Sequence, residues 1–452
     1  MKQQTTILAR AALAVALCGA IAPATAQTDK ERELEARIAD LERLVKQLVD
    51  ERAAAPPPAA AATPAPAAPA VAGAPPPPPP IQATTILPGA NPGTKFTVGG
   101  FVRTEFLATN TDGGEIPDSS AGRDLYVPGG IPIGAPDEGT DLDGHAKFSR
   151  LWFGADHVSD AGDKTSARLE VDFFGGALGT EVATNTYGVT VRHAYVTYNK
   201  WLTGQTWSNF MDVAALPDSV DLVGPTDGTV FVRQPQIRYT SGPWSFSVEN
   251  PETTVNPFGG GARIQTDDNS VPDFTARYLH KTTWGHLTAG LLARQLKLET
   301  TGANSFDDST TSFAGTFSGK WQINPDNDLR FALYAGQGIG RYIGLGIAAD
   351  AYIDDEGELD ALDGVAGFFA YRHVFSPQWR GNIYFARSQY DNDVADSGLG
   401  VTESVQSASA NLFYTPSPKL DIGAELRFAE RELESGAEGE LNRVHLLVRY
   451  SF

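Results

Sequence analysis

From Thr94 to the end of the chain, short runs alternate apolar and polar residues in steps of two. Alternation with this period is typical of a β-strand whose two faces have different surroundings. Such a strand fits a soluble sandwich, or a membrane barrel whose apolar face contacts lipid. In the last run the apolar face consists of Val444, Leu446, Val448, Tyr450 and Phe452.

The connections between these runs alternate between short and long. Seven short turns are predicted at 159–164, 199–200, 241–243, 283–285, 324–327, 376–378 and 416–419. Eight long, acidic or Gly-rich connections are predicted at 108–144, 175–187, 209–229, 251–271, 300–310, 343–363, 391–403 and 433–440. Fifteen connections imply sixteen strands, and this sorting is typical of outer-membrane barrels. We therefore predict an all-β fold, a sixteen-stranded antiparallel transmembrane β-barrel over residues 94–452. Its last strand should pair with the first, leaving no open edge in lipid.

The N-terminus has the features of a secretory signal peptide over residues 1–26. Lys2 and Arg10 precede an apolar run that ends in the small residues Ala24-Thr25-Ala26. The single cysteine, Cys18, lies in this run after Leu17, where a lipoprotein signal requires a small residue. We therefore expect an exported chain with neither a lipid anchor nor a disulfide.

A short coiled coil is predicted over residues 27–52, with apolar residues in steps of four and three. The residues at the core positions favour a coiled coil of two helices, whereas "RIADLE" resembles a trimerisation motif. We expect a trimer. The residues assigned to trimerisation are Leu34, Arg37, Ile38, Leu41, Glu42, Val45 and Leu48. Residues 53–93 are rich in Pro and Ala and should form an extended spacer.

The net charge of -20 and the pI of 4.7 argue against nucleic acid as a partner.

Strand arginines should face the lumen, since an arginine facing lipid at mid-membrane costs about 2–4 kcal/mol. Arg294 and Arg387 fit either face. The inward set predicted from neighbouring residues is Arg103, Arg150, Arg168, Arg192, Arg238, Arg277, Lys320, Arg330, Arg372, Arg427, Arg443 and Arg449.

These basic side chains have two interpretations. They could attract anions into a narrow pore, or they could brace the wall by pairing with inward carboxylates. The candidate carboxylates are Glu105, Glu170, Asp172, Glu249, Asp273 and Glu425. We favour anion preference for the set as a whole, because the basic candidates outnumber these acids.

No catalytic, cofactor or metal site is predicted. The seven histidines show no spacing linked to a nucleophile or a metal motif. The acidic loops at 137–145 and 354–364 lack the ligand spacing of an EF-hand. The chain is expected not to be an enzyme.

The segment "RHAYVTYNKWLTGQTWSNFMD", and above all Gly204–Asp212, resembles the DcaP-like trimeric porins. The resemblance implies a homotrimeric barrel that passes small anionic solutes, with dicarboxylates as the suspected substrates. It also implies that Asn209–Val230 is a long third loop folded into the lumen, followed by Arg233 and Arg238. Phe452 resembles the terminal signal read by the barrel-assembly machinery, and the surroundings would be outer-membrane lipid and lipopolysaccharide.

An alternative role is to tether the outer membrane to the peptidoglycan through coiled coil and spacer, which together could reach on the order of 100 Å. If tethering is the main role of this segment, deleting residues 27–80 leaves solute uptake intact and weakens the envelope. Uptake and detergent sensitivity of the cells measure the two effects. Lost uptake with an intact envelope would contradict the tether.

Overall fold

The computed structural model describes residues 93–137, 139–176, 184–301 and 305–452. The predicted signal peptide, coiled coil and spacer, with the residues assigned to trimerisation, lie outside the described residues. No helix in the described part of the chain is long and apolar enough to cross a membrane.

The described chain is almost entirely β-structure. Two one-turn helices lie in loops, α1 (Ala121–Asp124) and α2 (Val394–Ser397). The strands are β1 (Thr94–Thr111), β2 (Thr140–His145), β3 (Arg150–Val158), β4 (Lys164–Asp172), β5 (Thr190–Tyr198), β6 (Trp201–Trp207), β7 (Arg233–Ser241), β8 (Trp244–Glu249), β9 (Thr253–Asn256), β10 (Ile264–Thr266), β11 (Asp273–Thr282), β12 (Gly285–Glu299), β13 (Asp307–Asn324), β14 (Asn327–Gln337), β15 (Ala351–Ile353), β16 (Leu359–Ala361), β17 (Asp363–Ser376), β18 (Trp379–Asp391), β19 (Thr402–Ser417), β20 (Leu420–Leu433) and β21 (Glu438–Ser451).

The main sheet closes on itself. Each strand pairs antiparallel with the next around the ring, and β21 returns to β1 with a register from Phe101↔Ser451 to Thr111↔Leu441. Strands β2 and β3 lie end to end beside β1 and together form one barrel strand. The ring therefore has sixteen strands, which confirms the predicted fold.

All seven predicted short turns connect neighbouring barrel strands. Four long connections differ from the prediction, two of them because they contribute strands to the second sheet described below. Of the other two, the first contains β2, which was not predicted as a strand because its sequence is acidic and contains glycine. The last is reduced to residues 434–437, because β20 and β21 continue their pairing up to Glu432↔Glu438.

The outer face of the barrel is apolar and the inner face polar. On β21, Val444, Leu446 and Val448 are exposed on the outside, whereas His445 and Leu447 are buried on the inside. The faces predicted for the closing strand are therefore confirmed.

Aromatic side chains lie near the short turns on the outside. Pairs such as Trp201–Tyr239 and Trp379–Tyr414 have ring centroids 4.8 and 4.7 Å apart. Exposed aromatics at this level are typical of the periplasmic girdle of outer-membrane barrels. Phe452 belongs to it, and its backbone N–H donates to the Gly100 carbonyl at 3.1 Å.

Two long loops form a second, smaller sheet that the alternation did not predict. Strands β9 and β10 belong to residues 250–272, and β15 and β16 to residues 338–362. The two loops join through a parallel β9–β15 pair. A cluster of apolar side chains fixes this sheet to the upper part of β12, and it contains Val255, Leu296, Leu298, Ala351 and Leu359.

Candidate functional site: the barrel lumen

Loop L3, residues 208–232 between β6 and β7, folds into the barrel as the family resemblance implied. Phe210 and Met211 join an apolar cluster on the inner wall, and Val220 and Asp227 have no exposed surface. Asp212 caps a short 3-10 turn by accepting the Ala214 N–H. The 3-10 turn at Val213–Ala215 packs against β13 and β14, and a second 3-10 turn at Thr226–Gly228 packs mainly against β17, β18 and β19.

Arginines from five barrel strands hold the backbone of L3. Each donates to a carbonyl oxygen of L3 or of Trp207 at its root, and buried carbonyls of an irregular loop need such donors. The Trp207 and Gly224 carbonyls also accept from Gln236 and Thr226. The donor and acceptor pairs are Arg238 with Trp207, Arg277 with Met211, Arg330 with Leu216, Arg103 with Val220 and Arg427 with Gly224.

One group of basic side chains, the β3–β5 group, is tightly paired. Arg168 and Arg192 donate to Glu170 at 2.8 and 3.2 Å, and Arg150 lies 3.3 Å from the same carboxylate. Arg192 also pairs with Asp172 at 2.7 Å. Three arginines thus share two carboxylates.

A second group, the β13–β21 group, contains more basic side chains per acid. Asp328 lies within 3.5 Å of each of three of them, and Asp421 and Asp218 each accept two ion pairs. The basic members are Lys320, Arg330, Arg372, Arg380 and Arg449. Five positive charges therefore share three negative ones.

Three arginines on β7 and β11 have no carboxylate within ion-pair distance among the residues that the structure describes. Arg233 stacks on Trp207, with its guanidinium carbon 4.9 Å from the ring centroid. Arg238 donates to the side-chain oxygen of Gln236 and to the Trp207 carbonyl. Arg277 donates only to the Met211 carbonyl, and its Nε has no acceptor in the described structure.

The structure places every predicted pore residue on the inner face, but in different surroundings. Arg103, Arg192, Arg427 and Arg443 are at most 5% exposed, so they contact protein rather than open lumen. Arg168 keeps 33% of its side chain exposed. The wall thus combines the bracing and the charged-lumen interpretations.

The two arginines left unassigned face opposite ways. Arg294 is buried inside between Asp273 and Asp350, with the closest Asp350 contact at 2.8 Å. Arg387 points outward near the end of β18 opposite the short turns, where it donates to Gln406 and Gln389.

Two further loops enter the lumen, and the alternation gave no sign of them. In residues 112–137 of loop L1, Tyr126 and Ile131 have no exposed surface, and the Tyr126 N–H donates to Asp221 of L3 at 2.8 Å. In loop L6, residues 338–362 between β14 and β17, Ile343 pairs with Val230 of L3 in an isolated antiparallel bridge. The apolar segment "GIGRYIGLGIAA" was the signal for L6, because an exposed loop seldom contains so many apolar residues.

A pocket lies between the underside of L3 and strands β7, β11 and β12, with a volume of about 570 Å³. We call it the sub-loop pocket. Its lining includes Arg238, Arg277, Lys281, His286 and Asp212. Burial alone would raise the pKa of Asp212, but hydrogen bonds with His286 and Ser318, both at 2.9 Å, lower that pKa below its usual range.

No group of histidine, cysteine and acidic residues in the described chain has a geometry that could hold a metal ion.

Comparison with known proteins identifies relatives of this barrel. A family model described as DcaP outer membrane protein matches residues 128–452. The crystal structure of the outer membrane channel DcaP of Acinetobacter baumannii is 24% identical, covers 80% of this chain and 98% of its own, and superposes with a TM-score of 0.64. A loop L8 deletion mutant of OmpT from Vibrio cholerae is 14% identical, with 80% and 100% coverage and a TM-score of 0.48. No curated protein sequence matches.

The fully buried Asp227 of L3 should make stability depend on pH. Burial raises its pKa to about 6, while Ser407 donates to it at 2.8 Å. Because this pKa lies above the unfolded value of about 3.9, the stabilisation is fully present below about pH 4 and is lost as pH rises through 6. Relative to Asp227→Asn, the wild-type free energy of unfolding should fall by about 1 kcal/mol between pH 5 and 8.

Urea unfolding in lipid vesicles at the two pH values measures this difference. The matched control is Asp355→Asn, which removes an exposed loop carboxylate and should keep the wild-type pH dependence. An identical pH dependence in wild type and Asp227→Asn would show that Asp227 is already ionised at pH 5.

Proposed function

Because the chain belongs to the DcaP outer membrane protein family, we propose that its outer-membrane channel passes small anions, with carboxylates and dicarboxylates as the expected class. Passage is passive, and the protein is a pore rather than an enzyme. The related Acinetobacter protein is itself described as an outer membrane channel.

The observation that carries this proposal is the imbalance of charge around and below L3. Five basic side chains share three carboxylates in the β13–β21 group, and three share two in the β3–β5 group. Arg233, Arg238 and Arg277 add positive charge with no acid partner in the described residues. A narrow lumen with such a surplus concentrates anions and repels cations.

The length of the strands supports a homotrimer. Strand β6 has 7 residues and β8 has 6, whereas β12 has 15 and β13 has 18. At about 3.3 Å per residue and about 45° tilt, six residues cross roughly 14 Å, against an apolar band of about 25 Å. Irregular backbone does not face lipid inside that band, so a second copy of the chain would cover this low side of the barrel.

The N-terminal coiled coil, predicted as a trimer, fits the same assembly. We expect this N-terminal extension to lie in the periplasm. The tether to the cell wall stays a prediction from the sequence.

Anion selectivity is tested by the reversal potential of the purified protein in planar bilayers under a KCl gradient. We expect chloride to be more permeant than potassium. At low salt, Arg168→Ala should lower the permeability ratio about fourfold, since a unit charge at about 10 Å in water favours an anion by about 0.4 kcal/mol and disfavours a cation by the same amount. The control is Arg387→Ala, which removes the same charge from the outer face. Cation selectivity of the wild type would overturn the proposal.

The subunit interface is tested by single-cysteine cross-linking. Thr203 faces outward on β6, and Ile383 faces outward on β18, on the opposite side of the ring. Cys18, the natural cysteine, lies in the predicted signal peptide. With a short bis-maleimide, Thr203→Cys should give covalently linked chains and Ile383→Cys single chains. Cross-links at Ile383→Cys alone would place the interface elsewhere.

A further inference from the structure

The sub-loop pocket lies on one side of the lumen, at the level of the short turns. Its floor reaches the β11–β12 turn through Lys281, Thr282 and Gly285, and its roof is formed by Met211 to Ala214 of L3. Since the short turns of an outer-membrane barrel face the periplasm, the pocket opens toward the periplasmic mouth.

The pocket carries positive charge that the protein does not balance. Arg238, Arg277 and Lys281 have no carboxylate within ion-pair distance among the described residues, and the buried Arg277 Nε has no acceptor there. The acid in the lining, Asp212, is already engaged by His286 and Ser318. A buried N–H without an acceptor is costly, so the site is suited to a ligand that supplies oxygen acceptors.

The other basic groups of the lumen differ in this respect. Arg168 and Arg192 each donate to a carboxylate at 3.2 Å or less, and Arg330 is 2.7 Å from Asp328. The carboxylates of the wall therefore neutralise part of their charge. At the sub-loop pocket Asp212 offsets only part of the positive charge, so the rest of the counter-charge has to come from the solution.

We propose that the sub-loop pocket is a binding site for a small dicarboxylate on the periplasmic side of L3. This inference rests on the proposed anion channel and adds the position of a binding site for its solute. Guanidinium groups match the geometry of a carboxylate and present paired donors. Arg238 and Arg277 take one carboxylate, and Lys281 at the floor takes the other, while His286 stays bonded to Asp212. The volume of about 570 Å³ lies within the range of about 300–1,000 Å³ common for small-ligand sites.

Two consequences follow from the position of the site. Solute added on the periplasmic side reaches the pocket without crossing L3, so binding differs between the two sides of the membrane. The arginines that bind the solute also hold the Trp207 and Met211 carbonyls, so an occupied pocket stabilises the root of L3.

The test measures the effect of succinate on single-channel current, with succinate added to each side in turn. The wild type should show interruptions of the current that saturate, with tighter apparent binding from the periplasmic side. Arg277→Gln should weaken binding about tenfold, the scale of one charge-assisted hydrogen bond, and Lys281→Gln should weaken it less. Lys281→Gln is informative because this side chain holds no part of L3.

Two matched controls separate binding from loop support. Arg330→Gln also removes an arginine from an L3 carbonyl, at Leu216; because it lowers the charge of the lumen without touching the pocket, it should weaken succinate binding clearly less than Arg277→Gln does. Arg387→Gln removes the same charge from the outer face and should change nothing. Wild-type affinity in both Arg277→Gln and Lys281→Gln, or equal loss in Arg330→Gln, would overturn the site.

The outcomes distinguish this inference from the proposed function. An anion-selective channel whose current is indifferent to succinate removes the site and leaves the function. Saturable binding that depends on Arg277 and Lys281 in a channel that prefers cations supports the site and removes the function.

Discussion

The lumen depends on hydrogen bonds from wall arginines to the backbone carbonyls of L3. A loop that crosses a barrel has no neighbouring strand, so its carbonyl groups need other donors. Arg238, Arg277, Arg330, Arg103 and Arg427 supply them from five different strands. Arginine suits this task because it stays charged and presents several donors on a long side chain. The position of L3, and with it the narrowing of the pore, follows from these contacts.

The nature of the acceptor decides how much charge is left for a solute. A carboxylate holds a guanidinium and cancels its charge, whereas a carbonyl holds it and leaves most of the charge in place. Arg192 is the first case, between Glu170 and Asp172. Arg238 and Arg277 are the second, with L3-root carbonyls as acceptors and no carboxylate within ion-pair distance in the described structure. An arginine that donates to a carbonyl of L3 can therefore hold the loop in place and still attract anions.

The period of two made the barrel predictable, because it reports which face each residue takes. The face of β21, the short turns and the closing pair all follow from it. The period does not predict the hydrogen-bond and ion-pair partners of the inward side chains, because these depend on the paths of loops, which have no periodic pattern. Arg103 and Arg168 have the same alternation, yet L3 buries the first and leaves the second partly open. Arg387 could not be assigned because near the barrel rim the penalty for facing outward falls to about 0–1 kcal/mol. Loop L6 was readable only from its unusually apolar sequence.

The short strands connect assembly with permeation. The chain leaves β6 after 7 residues because its next residues turn inward as L3, and it re-enters the wall only at Arg233. The same departure that narrows the lumen lowers the outer wall, and a low wall cannot face lipid. A neighbouring subunit would therefore cover the strands from which L3 springs and which line the sub-loop pocket. In the proposed oligomer the root of L3 would be held from both sides, by wall arginines within the lumen and by a second chain outside. Subunit contact would then stabilise the pore loop directly, because both contacts involve β6 and β7.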